Sequence, residues 1–387
     1  MGLDLAIQAE QIVCTEAGEP TTWDIILVQE GHKLHPSAFR SLSSNFQLPS
    51  SNDGFPTGKL PLPVLEELLG RYATPNERLI VGPKAGEDAA VIDFGDRYLV
   101  AKTDPITFAT EEIGWYAVHV NANDVAVMGA RPRWFLATLL LPEGQANKDM
   151  AETIVAQIDG ACRSLGVVLA GGHTEITYNL DRPLVIGTML GEVAPERLVT
   201  TGGAQVGDAI LLIKSVPIEG TAIIARERAA DLAARGYDPD LIARAQGFLH
   251  DPGISVVRAA LLAAEAASVH AMHDPTEGGV ATGLLELARA ADVGLCVDLD
   301  RVPVPPEAAT LCGEYGLDPL GTIASGALLL TLPAEEAEGL RATLAAEGIP
   351  SVVIGRVLEA EEGLQARRHG RAIPLPTFAV DEIAKLF

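Results

Sequence analysis

Two strand-sized runs, Ala89–Asp93 (AAVID) and Arg97–Thr103 (RYLVAKT), flank Gly95-Asp96 in the 387-residue chain. A Gly-Asp pair between two such runs marks a hairpin turn. A tight hairpin joins antiparallel strands, because parallel neighbours need a crossover of roughly a dozen residues or more. That one turn excludes a purely parallel sheet. Around it, strand and helix patterns alternate. Helices are predicted over 62–72, 112–128 and 148–165, and further strands over 133–141, 167–170 and 184–193. Helices interleaved with a sheet that must contain an antiparallel pair make an α+β fold with a mixed sheet.

The chain is too long for one ordinary hydrophobic core, since about 150 residues per domain gives two to three units. The best boundary is 195–207, which carries Pro195, Gly202-Gly203 and Gly207 ahead of a new strand at 209–214. Three segments follow: an appendage over 1–58, a first lobe over 59–200 and a second lobe over 201–387. In the second lobe helices are predicted over 221–235, 254–267, 278–291 and 335–347, and a strand over 327–332. Asp251-Pro252-Gly253 is read as the start signal of the second of these helices. The appendage is expected to be partly disordered: 23–29 (WDIILVQ) is a candidate strand in it, and the Ser-, Asn-, Pro- and Gly-rich stretch 41–58 is a loop or linker.

Charge and cysteine content narrow the function. With 28 basic and 52 acidic residues the net charge is −24. Such a chain repels nucleic-acid backbones and anionic membrane surfaces, so neither is an expected partner. A phosphorylated ligand would need a cation to offset the same repulsion. Cys14, Cys162, Cys296 and Cys312 form no Cys-x-x-Cys pair. They make neither a zinc pattern nor a disulfide framework, and suit small buried apolar positions in a reduced compartment. The N-terminus has no basic region ahead of an apolar run, and no apolar stretch approaches the ~18 residues of a membrane span. A cytoplasmic protein is expected.

Five short motifs carry candidate chemistry. In 86–91 (GEDAAV), Asp88 stands among small residues just ahead of a strand; it is a turn residue or a metal ligand. In 102–105 (KTDP), Asp104 closes the returning strand; it is a turn residue ahead of Pro105, or the hairpin brings it towards Asp88, where two carboxylates repel unless a cation lies between them. In 121–132 (NANDVAVMGARP), three poor helix formers sit in a helix otherwise built of Val and Ala, which marks either a solvent-facing stripe or a functional site. In 171–175 (GGHTE), a Gly-Gly turn after a strand can present N–H groups to phosphate, and His173 is a ligand or a hydrogen-bonded spacer. In 274–279 (DPTEGG), Thr276 can cap a helix whose glycine-rich N-terminus favours anions.

Taken in this order, the five motifs resemble the superfamily of aminoimidazole ribonucleotide synthetase, and the likeness runs from about residue 58 to 375. Its other members are thiamine-monophosphate kinase, selenophosphate synthetase, the formylglycinamidine ribonucleotide amidotransferase synthetase domains and the hydrogenase maturation factor HypE. The resemblance implies a two-lobe PurM-like fold: an N-terminal α/β lobe that dimerises through its strands, and a C-terminal α/β lobe. It implies ATP and Mg²⁺ in the cleft and phosphoryl transfer to a carbonyl, amide or phosphate oxygen. Carried over motif by motif, it implies Asp88, Asp104, Asp124, Asp274 and Glu277 as metal ligands. It implies Lys84, Asp104 and Asp274 as catalytic groups, and Asn123, Gly171, Gly172, Thr174, Thr276, Gly278 and Gly279 against the nucleotide. The length of the core and the DPTEGG loop resemble HypE most, but the sequence stops at Ile383–Phe387 without the terminal Cys of that tail, so a HypE-like chain lacking the tail is expected. A small-molecule substrate, a second copy of the chain and a maturation partner protein are the implied partners. The alternatives are a non-catalytic ATP-binding homodimer that scaffolds a partner, or a phosphoribosylformylglycinamidine cyclo-ligase.

Overall fold

The computed structural model describes residue 55 and residues 58–84, 86–109 and 111–387. The strand expected over 23–29 and most of the loop expected over 41–58 lie outside the described residues. Residues 56–387 form one compact unit built around two sheets.

The first lobe runs α1 Leu62–Tyr72, β1 Leu79–Val81, β2 Ala90–Asp93, β3 Tyr98–Ile106, α2 Ile113–Val127, β4 Arg131–Pro142, α3 Lys148–Leu165, β5 Val168–Thr177 and β6 Leu184–Val193. Its sheet has the order β1-β2-β3-β6-β4-β5, and only β4 and β5 pair in parallel. The hairpin forms as expected, with Ala90 opposite Ala101 and Asp93 opposite Tyr98. Helix α3 begins where Asn147 accepts a hydrogen bond from the Met150 amide and ends at Gly166, at φ 67°. Both are the terminus signals such a helix needs.

The second lobe runs β7 Ala209–Ile213, α4 Ile218–Glu227, α5 Ala229–Ala234, α6 Pro239–Gly247, α7 Val257–Ala266, β8 Ala271–His273, α8 Gly279–Ala291, β9 Gly294–Asp298, α9 Pro306–Glu314, β10 Leu328–Leu332, α10 Ala337–Ala346, β11 Ser351–Leu358, β12 Leu364–Arg368 and β13 Arg371–Pro374. Its sheet order is β13-β12-β9-β11-β7-β10-β8, parallel only between β12 and β9. Both sheets are mixed, and the fold is α+β. The helix expected over 221–235 is broken at Arg228, and the one expected from 254 starts at Val257, after a turn that contains Pro252.

Helix α2 decides where the site sits. Apart from Trp115, all its residues are buried, the Asn and Asp residues included. The solvent-facing reading of its polar residues is therefore wrong. Two glycines of β6 let it approach the sheet: a Cβ at Gly187 would lie 2.3 Å from Asn121 Nδ2, and one at Gly191 2.3 Å from Val125 Cγ1. Asn121 donates to the carbonyls of Ala117 and Asp104, at 2.8 and 3.2 Å. Asn123 reaches the second lobe, donating to Ile254 O and accepting from the Val256 amide, both at 2.8 Å.

Of the described cysteines, Cys162 and Cys312 are buried, and burial pushes their thiols up to about 11 and about 12. Neither is a reactive thiolate. Another buried acid has a consequence for stability. Glu219, in the first turn of α4, is 4% exposed, and its Oε2 has no hydrogen-bond partner. Burial raises its pKa from 4.5 to about 7. A carboxyl raised in the folded state favours folding below its unfolded pKa and loses that advantage as pH rises through the folded value. The loss is on the order of 3 kcal/mol. Wild type should therefore lose stability between pH ~5 and ~8 relative to Glu219→Gln. Denaturant midpoints at both pH values check this, and parallel curves for the two proteins would refute it.

Candidate functional site

Three motifs converge. Asp88 precedes β2, Asp124 lies within α2, and Asp274 follows β8 in the second lobe. Each places a carboxylate oxygen within 4.8 Å of the others, and all three residues are buried. Local sequence explains the convergence. Pairing of Ala90 with Ala101 sets Asp88 near the Lys102–Asp104 end of β3, and the Asn123 hydrogen bonds tie α2 to the segment leading into α7.

The three carboxylates are not equally provided for. Asp88 accepts from Thr201 Oγ1 at 3.0 Å and faces His273 Nδ1 at 2.8 Å. His273 Nε2 lies 3.0 Å from Glu286, which in turn lies 3.6 Å from Lys59 Nζ. Burial opposes a charged imidazole, but Asp88 and Glu286 outweigh it and raise the His273 pKa. Asp124 faces Lys102 Nζ at 3.2 Å through Oδ1, while its Oδ2 makes no hydrogen bond. Neither oxygen of Asp274 makes one. Burial raises the pKa of both Asp124 and Asp274, and the neighbouring carboxylates raise them further.

Buried carboxylate oxygens without partners are costly unless a proton or a cation satisfies them. Three hard oxygen donors, with no thiolate and no imidazole aimed at the same point, suit Mg²⁺ rather than zinc. The donor set therefore fits the metal that the sequence resemblance implies. Asp88, Asp124 and Asp274 are the group among the described residues that can hold it.

The remaining expected site residues lie around this group or away from it. Asp104 stands beside it, 3.9 Å from Lys102 Nζ, but is not one of the three. Glu277 accepts the Lys59 amide at 2.9 Å. Lys84 donates to the Ala290 carbonyl at 3.0 Å, at the end of α8. Asn123 has its side-chain donor and acceptor committed to the Ile254–Val256 backbone, so in this structure it is a tie between lobes. Gly171, Gly172 and Thr174 are exposed on β5, a sheet edge. The expected Gly-Gly turn is instead the middle of a strand, bulged where β4 Phe135-Leu136 faces Leu169 and Gly171. His173 is also exposed there, 3.6 Å from Glu175.

The second-lobe loop differs as well. The residue at the start of α8 is Gly278, at φ 80°, and not Thr276, whose carbonyl accepts from Gly279 N and Ala324 N. The amide of Gly278 is taken by the Asp381 carboxylate at 2.6 Å, which also accepts from Ile323 and Ile383. The anion place expected at Gly278 and Gly279 thus holds the chain's own carboxylate. Lys102 and His273 were visible inside two of the motifs without an assigned role. Thr201, Glu286 and Lys59 carry no local signal, since their contacts depend on tertiary structure.

Two family models match the chain: the N-terminal domain of AIR synthase related protein over residues 86–193 and its C-terminal domain over 205–366. The chain belongs to the AIR synthase-related family. Carbamoyl dehydratase HypE of Azotobacter vinelandii is 33% identical over 307 residues, covering 77% of this chain and 85% of that protein. The HypE of Cupriavidus necator is 32% identical over 66% of this chain and 70% of its own length. A crystal structure of hydrogenase maturation protein HypE in complex with ATP superposes with a TM-score of 0.64 at 28% identity, covering 82% of this chain and 93% of that one. These family members share the two-lobe PurM-like fold. No helix among the described residues is long and apolar enough to cross a membrane.

Proposed function

We propose that the chain is an ATP-dependent enzyme that activates an amide, carbamoyl or phosphate oxygen of a small substrate by phosphoryl transfer. The observation that carries this reading is the convergence of Asp88, Asp124 and Asp274, buried and with three oxygens lacking partners. Its relatives are enzymes, and both the dehydratase named among them and the ATP complex of a similar protein support the class of reaction.

The substrate oxygen attacks the γ-phosphorus, the bond to the bridging oxygen breaks, and ADP leaves. Such a transfer depends on positioning and charge neutralisation more than on covalent help from the protein. Asp88, Asp124 and Asp274 would hold Mg²⁺, which when bound supplies positive charge to the phosphate oxygens. Thr201 and His273 fix Asp88, and Glu286 holds His273 from its far side. Lys102 keeps an ammonium beside Asp104 and Asp124. Asp104 and Glu277 border the site, and Glu277 is anchored by the Lys59 amide.

ADP release by the purified chain, with Mg²⁺ and a panel of a carbamoylated thiol, a primary amide and a phosphomonoester, tests the reading. One class of compound should raise the rate well above that with ATP alone, and chelation should abolish the rise. No ATP binding and no ADP from any substrate would refute it. Because the similar ATP-bound structure is that of a hydrogenase maturation protein, a maturation protein as partner belongs to the same proposal.

A homodimer closed through the first-lobe strands is also part of the proposal. The edge strand β5 leaves Val168 59% and Ile176 56% exposed, and an open apolar edge favours strand pairing or face-to-face contact. Val168→Lys combined with Ile176→Lys should convert a dimer to a monomer in light scattering with little change in melting temperature. An unchanged dimer would place the interface elsewhere.

A further inference from the structure

Lys102 sits on β3 two residues before Asp104, and strand alternation puts both side chains on the face towards α2. Its ammonium lies 3.2 Å from Asp124 Oδ1 and 3.9 Å from Asp104 Oδ2. The side chain is 22% exposed, so water screens the charge only in part. The carboxylate group therefore already has a resident cation on one flank, while Asp124 Oδ2 and both oxygens of Asp274 remain without partners.

A divalent cation that binds Asp124 must share that carboxylate with Lys102. Two cations on one buried carboxylate repel, and at partial burial such repulsion is strong. A nucleotide polyphosphate removes the conflict, because its oxygens offset both positive charges at once. We infer that Lys102 couples metal binding to nucleotide binding: it weakens divalent-cation binding to the nucleotide-free protein, so that the cation enters mainly together with the nucleotide. This rests on the proposed metal role of the three aspartates and adds an order of binding to it. By linkage, the nucleotide must gain from the metal the same factor that the metal gains from the nucleotide.

Electron paramagnetic resonance of Mn²⁺ binding to the full chain tests this, with and without a non-hydrolysable ATP analogue and after correction for Mn²⁺ bound by the analogue in buffer. Wild type should bind Mn²⁺ at least ~10-fold more tightly with the analogue than without it. Lys102→Met should bind Mn²⁺ without nucleotide at least ~10-fold more tightly than wild type, and its gain from the analogue should shrink to a few-fold. Lys102→Arg, which keeps the charge, should behave as wild type. Circular dichroism and melting confirm that each variant is folded. Equal nucleotide-free affinity in wild type and Lys102→Met overturns the coupling role alone. Absence of protein-bound Mn²⁺ in every variant, with or without analogue, overturns both this role and the metal assignment.

Discussion

Asp124→Asn should lower Mg²⁺-dependent ATP turnover by ~10³-fold or more while shifting the melting temperature by no more than a few degrees. The two parts of this expectation have separate causes. Asp124 faces Lys102 with one oxygen and has no partner for the other, and burial with neighbouring carboxylates raises its pKa. In the metal-free protein the ionised carboxylate is thus held at a cost. A neutral amide of the same shape relieves repulsion with Asp88 and Asp274 while weakening the contact with Lys102, and the two effects offset each other. For catalysis the substitution removes a charged oxygen donor from a site that depends on charge neutralisation. Steady-state ADP release and a thermal melt on the same preparation check both parts. Near-normal turnover in the variant would remove Asp124 from the catalytic machinery.

Asn123→Ala should do the reverse, costing stability and sparing ligand affinity. Asn123 is fully buried, and its side chain holds Ile254 O and Val256 N across the lobes, at 2.8 Å each. Truncation leaves a buried carbonyl and a buried amide unpaired, at about 1–3 kcal/mol each. The melting temperature should fall by roughly 5 °C or more. Because neither polar atom of Asn123 is free for a ligand, the affinity for an ATP analogue, measured well below the melting range, should change less than ~3-fold. A large loss of nucleotide affinity with unchanged stability would restore the cofactor-binding role that the motif suggested.

These two residues stand one position apart in the same motif, and their different fates show what was legible in the sequence. The conflict between polar residues and an apolar helix singles out α2, and those polar residues are buried. Which polar side chain faces the site and which ties the lobes depends on what packs against each face of a helix buried nearly all round. Asp88 is conspicuous locally, as an acidic residue ahead of a strand among small neighbours, whereas Asp274 is pointed to only by the family resemblance. Asp104 is expected beside Asp88 because a hairpin brings its outer ends together, and it stands 3.9 Å from Lys102 Nζ. The structure interposes Lys102 between it and Asp124.

Other readings failed where local propensity was overridden at long range. Gly171-Gly172 reads as a turn, but parallel pairing with β4 draws it into an edge strand. A turn residue such as Thr276 reads as a helix cap, but Gly278 occupies the cap position ahead of α8 and Asp381, 103 positions further on, accepts its amide. No local pattern announces a contact of that span. The alternation of strands and helices, the hairpin and the exact span of α3 were readable because caps, glycines and periodicity act over a few residues. The polar chain from Lys59 through Glu286 and His273 to Asp88 was not, because tertiary folding alone assembles it.

The metal assignment is tested most directly by crystals of the full chain grown with Mn²⁺ and a non-hydrolysable ATP analogue, with anomalous scattering recorded from the manganese. An anomalous peak should appear coordinated by Asp88, Asp124 and Asp274, with the analogue's phosphates completing its shell. A peak bound by other residues, or nucleotide bound away from this carboxylate group, would contradict it.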